Sequence, residues 1–149
     1  ARADFIRSRQ SRVTMVDTSA KPVVTRRAVA EGFFLAAPTT LDRVMDGQVP
    51  KGEALGTARI AGIQAAKACD RLIPLCHSLP LDEVAVEFTR PEADRIRIQA
   101  TVRVVARTGV EMEALTAVSV AGLTLYDMTK AIDRDLRIEG VRLVLKEKG

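Results

Sequence analysis

The chain has 149 residues, of which 47% are hydrophobic and 28% charged, with a formal net charge of +4; this is apolar material for one core and suits a single domain with an anionic partner. No apolar run approaches the roughly 20 residues of a membrane span, and no signal-peptide h-region opens the chain, so the expectation is a cytoplasmic protein, off the membrane, with Cys69 and Cys76 reduced. Aromatic residues make up only 3%, which leaves the core to Val, Ile, Leu and Ala in closely approaching elements.

In chain order, residues 1–12 hold Arg2, Arg7, Arg9 and Arg12 among Ser and Gln without periodicity, and read as a flexible basic N-terminal arm ahead of one domain over 13–149. From Val23 to Leu35 a strand is predicted, rich in Val, Phe and Thr and half exposed through Arg26, Arg27 and Glu31. Pro38-Thr39-Thr40 starts a short helix that Gly47 stops. Residues 52–69 are rich in Ala, Leu and Ile and predict a longer helix, with Gly56 and Gly62 where a neighbour comes close. After a proline-punctuated loop around Leu72 to His77, Val84, Val86 and Phe88 alternate with polar partners, as do Ile96, Ile98, Ala100 and Val102. Two amphipathic strands joined at Pro91 to Asp94 make a hairpin. Glu111 to Ile132 is apolar between its ends and too long for a strand, so it predicts a buried helix. Leu136 to Leu145 closes the chain as a strand bent or bulged at Gly140.

This order predicts an α+β fold: a ferredoxin-like β-α-β-β-α-β antiparallel sheet with helices on one face and an extra short helix. The uncovered face and the apolar last helix argue for self-association. GxxxxGK, GxGxxG and GxSxG motifs are all missing. Chemistry is therefore sought in Lys51-Gly52, in Cys76-His77, and at the two ends of the last helix, Glu111-Met112-Glu113 and Asp127-Met128-Thr129-Lys130. Each has a plain alternative. His77 fits a hydrogen-bonded loop residue, because structural zinc takes four ligands and only Cys69, Cys76 and His77 are on offer. Glu111 and Glu113 suit any helix N-terminus, and Asp127 and Lys130 suit an intrahelical pair. Composition and spacing alone stop at a basic α+β domain.

The run KGEALGTARIAGIQAAKACDRLIPLCHSLPLDEVAVEF, from Lys51 to Phe88, and the run TGVEMEALTAVSVAGLTLYDMTKAIDRDLRIEGVRLVLKEKG, from Thr108 to Gly149, carry more. With Met15-Val16-Asp17 upstream, they resemble the cyclic pyranopterin monophosphate synthase family, the second enzyme of molybdenum-cofactor biosynthesis. LIPLCH, GVEMEALTA and the YDM-T-K pattern are its specific stretches. Ser78 and Thr129 depart from the usual proline and cysteine, and the family's glycine-, lysine- and serine-rich tail is not seen after Gly149.

The resemblance implies a small-molecule substrate, (8S)-3′,8-cyclo-7,8-dihydroguanosine 5′-triphosphate, made by a radical S-adenosylmethionine GTP cyclase to which this protein would be functionally linked. The products it implies are cyclic pyranopterin monophosphate and diphosphate, so the domain 13–149 is expected to be catalytic, a lyase. Holding a triphosphate asks for Lys and Arg, and reworking purine-derived rings asks for tuned acids and bases. Carried over by position, Asp127, Lys130 and Lys51 are expected to be catalytic. Leu75, Cys76, His77, Met112 and Glu113 are expected to bind substrate, supported by Glu111, Arg26 and Lys67. No cofactor and no metal site are expected; Mg²⁺ accompanying the triphosphate stays open.

The family also implies a homohexamer, a trimer of dimers with the active site at the dimer interface. Helix geometry leads the same way, since a continuous helix sets Glu113 and Asp127 about 21 Å apart, too far for one small-molecule pocket. Either one end is not functional, or the helix is broken, or an antiparallel neighbour across a two-fold axis brings the opposite ends together, the reading that the apolar, proline-free helix interior favours. The alternative function is an RNA-binding module of ferredoxin-like fold. Such modules stack bases on strand aromatics, and the hairpin and last strand offer only Phe88, so no nucleic-acid partner is expected. A regulatory subunit without chemistry is a second alternative.

Overall fold

The protein is described by a computed structural model over residues 13–149; the basic arm read over 1–12 lies outside the described residues. Four strands pair antiparallel in the order β2-β3-β1-β4: β1 (Val24–Leu35), β2 (Glu83–Glu92), β3 (Arg95–Ala106) and β4 (Arg137–Lys148). Register follows the two-residue alternation of the sequence. Ala28 opposite Val102, Ala30 opposite Ala100 and Phe34 opposite Ile96 all face the core and are buried. The intervening pairs, Arg27 with Arg103, Glu31 with Gln99 and Phe33 with Arg97, point to the opposite face. There Glu31 is 6% exposed, accepting from Arg97 Nε at 2.8 Å and Arg142 Nε at 2.6 Å across three strands. Those two guanidinium bonds hold its carboxyl below the usual carboxylate range.

The core side is covered by α1 (Pro38–Met45), α2 (Ala54–Lys67), α3 (Cys69–Leu72) and α4 (Glu111–Thr129). Pro38 suits the first turn of α1 because no backbone N–H is needed there. Glu53 caps α2, its side chain accepting from the backbone N–H groups of Leu55 and Gly56. Gly62 lets α2 settle on α4, since a Cβ there would sit 3.0 Å from the carbonyl oxygen of Ala117 and 3.2 Å from Val86. The two helices run antiparallel: Lys51, ahead of α2, meets Asp127 at the end of α4, and Cys69, past α2, meets Thr116 near its start. The result is the α+β ferredoxin-like arrangement.

The elements differ from the sequence reading in several places: the second helix spans Ala54–Lys67 rather than 52–69, and the last strand runs on to Lys148 rather than ending at Leu145. The last helix stops at Thr129 rather than Ile132, because the Thr129 carbonyl takes the N–H groups of both Ile132 and Asp133 and turns the chain. The hairpin turn narrows to Ala93-Asp94, with β2 continuing through Pro91 across a register irregularity between Thr89 and Glu92. The four-residue α3 was not anticipated. Gly140, at φ +65°, lies within the stretch where β1 and β4 shift register, which is the bend its position suggested.

Candidate active site

The end of α4 and the segment ahead of α2 meet in a three-residue bridge. Lys51 Nζ donates to Asp127 Oδ2 at 2.7 Å, and Lys130 Nζ lies 3.0 Å from Asp127 Oδ1. All three side chains are at least half exposed. The Lys51 bond, then the Lys130 bond, hold the Asp127 carboxyl below its ordinary value, so it stays ionised with an ammonium on each oxygen. Lys130 reaches back one helical turn; Lys51 arrives only because α2 packs antiparallel to α4.

At the other end of α4 the chemistry is drier. Glu113 is 2% exposed; burial pushes its carboxyl above the ordinary value, outweighing the hydrogen bonds it accepts. The Cys76 thiol donates to Glu113 Oε2 at 3.5 Å, while Glu113 Oε1 is buried with no partner among the described residues. Burial first, and the Glu113 charge second, push the Cys76 thiol up to about 12. Cys69 Sγ lies 3.9 Å from Cys76 Sγ and 3.5 Å from Thr116 Oγ1, and burial raises its thiol as well.

Beside this cluster opens a cleft of about 340 Å³ whose wall includes Leu75, Cys76, His77 and Met112. Four of the five residues expected to bind substrate thus share one cavity, and the fifth, Glu113, touches Cys76. Thr18, Lys21 and Thr108 also line it. A second cleft shares Thr18, His77, Leu79 and Thr108 with the first and adds Arg107. Lys21 and Arg107 are cations the sequence reading passed over; Lys21 follows the Met15-Val16-Asp17 stretch, the one signal that this segment mattered.

The supporting candidates are placed differently. Glu111 is partly buried and pairs through Oε1 with Lys146 Nζ at 3.3 Å. Arg26 is 7% exposed, its Nε donating to the Ala106 carbonyl at 3.1 Å and its Nη2 to the Pro22 carbonyl at 3.4 Å, so it pins the start of β1. Lys67 is exposed beside a separate cleft formed with Ile63, Leu81 and Asp82. Phe88 packs partly buried against the core, with the Arg59 guanidinium 5.6 Å above its ring.

One chain does not unite the two ends. The helix is unbroken from Glu111 to Thr129, which sets Glu113 and Asp127 about 21 Å apart along its axis. The two ends differ in character: one is ionic and half exposed, the other buried, with its carboxyl and thiol both raised.

Comparison with known proteins returns one family. The MoaC family model matches residues 15–149. A cyclic pyranopterin monophosphate synthase of Nostoc sp. is 54% identical over 141 residues, spanning 94% of this chain and 84% of the relative. One from Roseiflexus sp. is 56% identical over 139 residues, 93% of this chain and 88% of the relative. Cyclic pyranopterin monophosphate synthase 3 of Mycobacterium tuberculosis is 54% identical over 140 residues, 94% and 79%.

Proposed function

The chain belongs to the MoaC family, and we propose that it acts as a cyclic pyranopterin monophosphate synthase through a site built from both ends of α4. It is an enzyme of molybdenum-cofactor biosynthesis acting on a small molecule. Its substrate is the cyclic dihydro-GTP delivered by a radical S-adenosylmethionine cyclase. No helix among the described residues is long and apolar enough to cross a membrane, which suits work in the cytoplasm.

The observation that carries this reading is the Lys51-Asp127-Lys130 bridge. Forming the cyclic phosphate joins a sugar oxygen to the α-phosphorus and expels diphosphate, so negative charge builds on the leaving group. Two ammoniums on one carboxylate supply that countercharge in a fixed place. Asp127 is kept ionised and is the group suited to take protons as the ring system opens and recloses. Buried Glu113 and the Cys76 thiol, with His77 and Met112, form the wall that receives the ring system. Catalysis needs no cofactor among these residues, and Mg²⁺ would enter with the triphosphate.

The complete site requires a second copy. Ile60 on α2 and Leu123 and Tyr126 on α4 are exposed apolar side chains on the outer side of the helix pair, and two such faces packed across a two-fold axis bring one chain's residue 113 end to the other's residue 127 end. Such pairs assemble as a hexamer, a trimer of dimers. The alternative of an RNA-binding module gains nothing from Phe88, which packs partly buried against the core with Arg59 over its ring.

The test is turnover of purified protein with the cyclic dihydro-GTP, scored as fluorescent pterin after oxidation and as released diphosphate. Both products are expected from the wild type, and each at least about 10²-fold more slowly from Lys51→Ala or Lys130→Ala. Unchanged product formation by those variants would remove the bridge from the mechanism.

A further inference from the structure

We propose that Cys69, Cys76 and Glu113 form a binding site for a thiophilic divalent cation of the Zn²⁺ class, and that filling it switches the substrate cleft off. The three ligand atoms lie within 4.8 Å of one another. They come from three separate places: the first residue of α3, the loop after it, and the first turn of α4. The sulfurs are 3.9 Å apart and Cys76 Sγ is 3.5 Å from Glu113 Oε2. A tetrahedral ion with Zn–S near 2.3 Å and Zn–O near 2.1 Å has S···S and S···O edges of about 3.8 and 3.6 Å. Two of the three ligand-to-ligand distances already match those edges, and the third lies within 4.8 Å.

A second observation points the same way. Glu113 is 2% exposed, and its Oε1 is buried without a partner among the described residues. The carboxyl that meets Cys76 Sγ through Oε2 thus carries a second buried oxygen without the donor that would ordinarily accompany it, and a cation shared by both oxygens satisfies it. Thr116 Oγ1, 3.5 Å from Cys69 Sγ, is placed to donate to a metal-bound thiolate.

The sequence offered too few N and S ligands for zinc; folding adds Glu113 from 37 positions beyond Cys76. Three protein ligands leave a fourth position open, the pattern of exchangeable rather than structural zinc. Cys76 is on the cleft wall beside His77 and Met112, which gives the ion its way in. Binding sends the two thiol protons, and any proton held by Glu113, to solvent, and a thiolate pair selects Zn²⁺ over Mg²⁺. The inhibitory half of the proposal rests on the function proposed above: with the ion in place, Cys76 and Glu113 no longer receive substrate.

The experiment uses full-length protein reduced with a phosphine, stripped with chelator and titrated anaerobically with Co²⁺. A saturable thiolate-to-cobalt charge-transfer band at one equivalent per chain is expected, displaced by Zn²⁺. These are the chain's only two cysteines, so the band reports this site. Cys69→Ser and Cys76→Ser should lose it, and Glu113→Gln should weaken binding by at least about tenfold. Zn²⁺ should also shield both thiols of the wild type from alkylation, a readout independent of how the variants fold. Absence of the band, or thiols alkylated equally fast with Zn²⁺, overturns the site. In turnover of the cyclic dihydro-GTP, Zn²⁺ should inhibit the wild type and spare Cys69→Ser. Bound Zn²⁺ without inhibition overturns the switch, whereas a metal-free wild type that turns over no substrate overturns the proposed function and leaves the Co²⁺ result standing.

Discussion

At the C-terminal end of α4, Asp127 sits half exposed between two lysine ammoniums, while at the N-terminal end Glu113 is buried with a thiol on one oxygen and no partner among the described residues on the other. Both are carboxyls on one helix, yet their proton affinities move in opposite directions. Partners favour the charged form of the first in water; burial disfavours the charged form of the second. Two roles in proton chemistry thus follow from environment rather than residue type.

The largest effect expected from breaking this contrast is on turnover at the wet end. Asp127→Asn or Lys130→Ala should lower kcat by about 10²- to 10⁴-fold, the range for removing an acid or base, with a thermal midpoint close to wild type because exposed ion pairs contribute little to folding. Parallel calorimetry checks this; a large fall in both quantities would make the bridge structural.

Joining the ends across two chains gives the next effect. Glu113→Ala and Lys130→Ala chains, each inactive, are co-refolded and assayed together. If sites are shared across a two-fold axis, mixed dimers carry one doubly altered and one intact site, and random mixing restores about a quarter of wild-type activity. Mixed oligomers as inactive as their parents would show that each chain holds its own site.

Changing the spacing between the helices is a third route. In Gly62→Ala the added methyl meets the Ala117 carbonyl and Val86, and overpacking of this kind costs about 1–3 kcal/mol. Denaturant melts should show that loss. The KM for substrate should rise as well, because α2 then carries Lys51 away from Asp127.

The smallest effect is on stability against pH. Glu113 has a folded pKa above its unfolded one, so its contribution is fully present below the unfolded value and is lost as pH rises through the folded pKa. Glu113→Gln should flatten that alkaline-side decline. Asp127 has the opposite sign: its contribution is present above the unfolded value and is lost as pH falls through the depressed folded pKa. Asp127→Asn should blunt only the acid limb, and slightly, since the group is exposed. Melts of both variants across pH separate the two limbs.

Much of this was legible in the sequence where the pattern is local. The alternation of Val84, Val86 and Phe88, the break at Gly140, and the three-residue step from Asp127 to Lys130 each carry their own periodicity or backbone requirement. Lys51 could be named from the family likeness, but its contact with Asp127 crosses 76 positions and depends on two helices packing antiparallel through Gly62. Cys69 was passed over as a working residue for the same reason: its neighbours Cys76, Thr116 and Glu113 gather only in the fold. The exit of α4 at Thr129 turned on one carbonyl taking two N–H groups, which no hydrophobic period records.

The Glu31 clamp sets a timetable for folding. β1 emerges early from the ribosome, yet Arg142, which completes the clamp from β4, lies 111 positions later. Pairing of such high sequence separation closes late and slowly. Until then the β4-facing edge of β1 is an unpaired ribbon whose Ala28, Val29, Ala30, Phe33 and Phe34 are open to other chains. A nascent chain halted before β4 should therefore be the species that aggregates, and the last twelve-residue strand acts as an internal chaperone for the first.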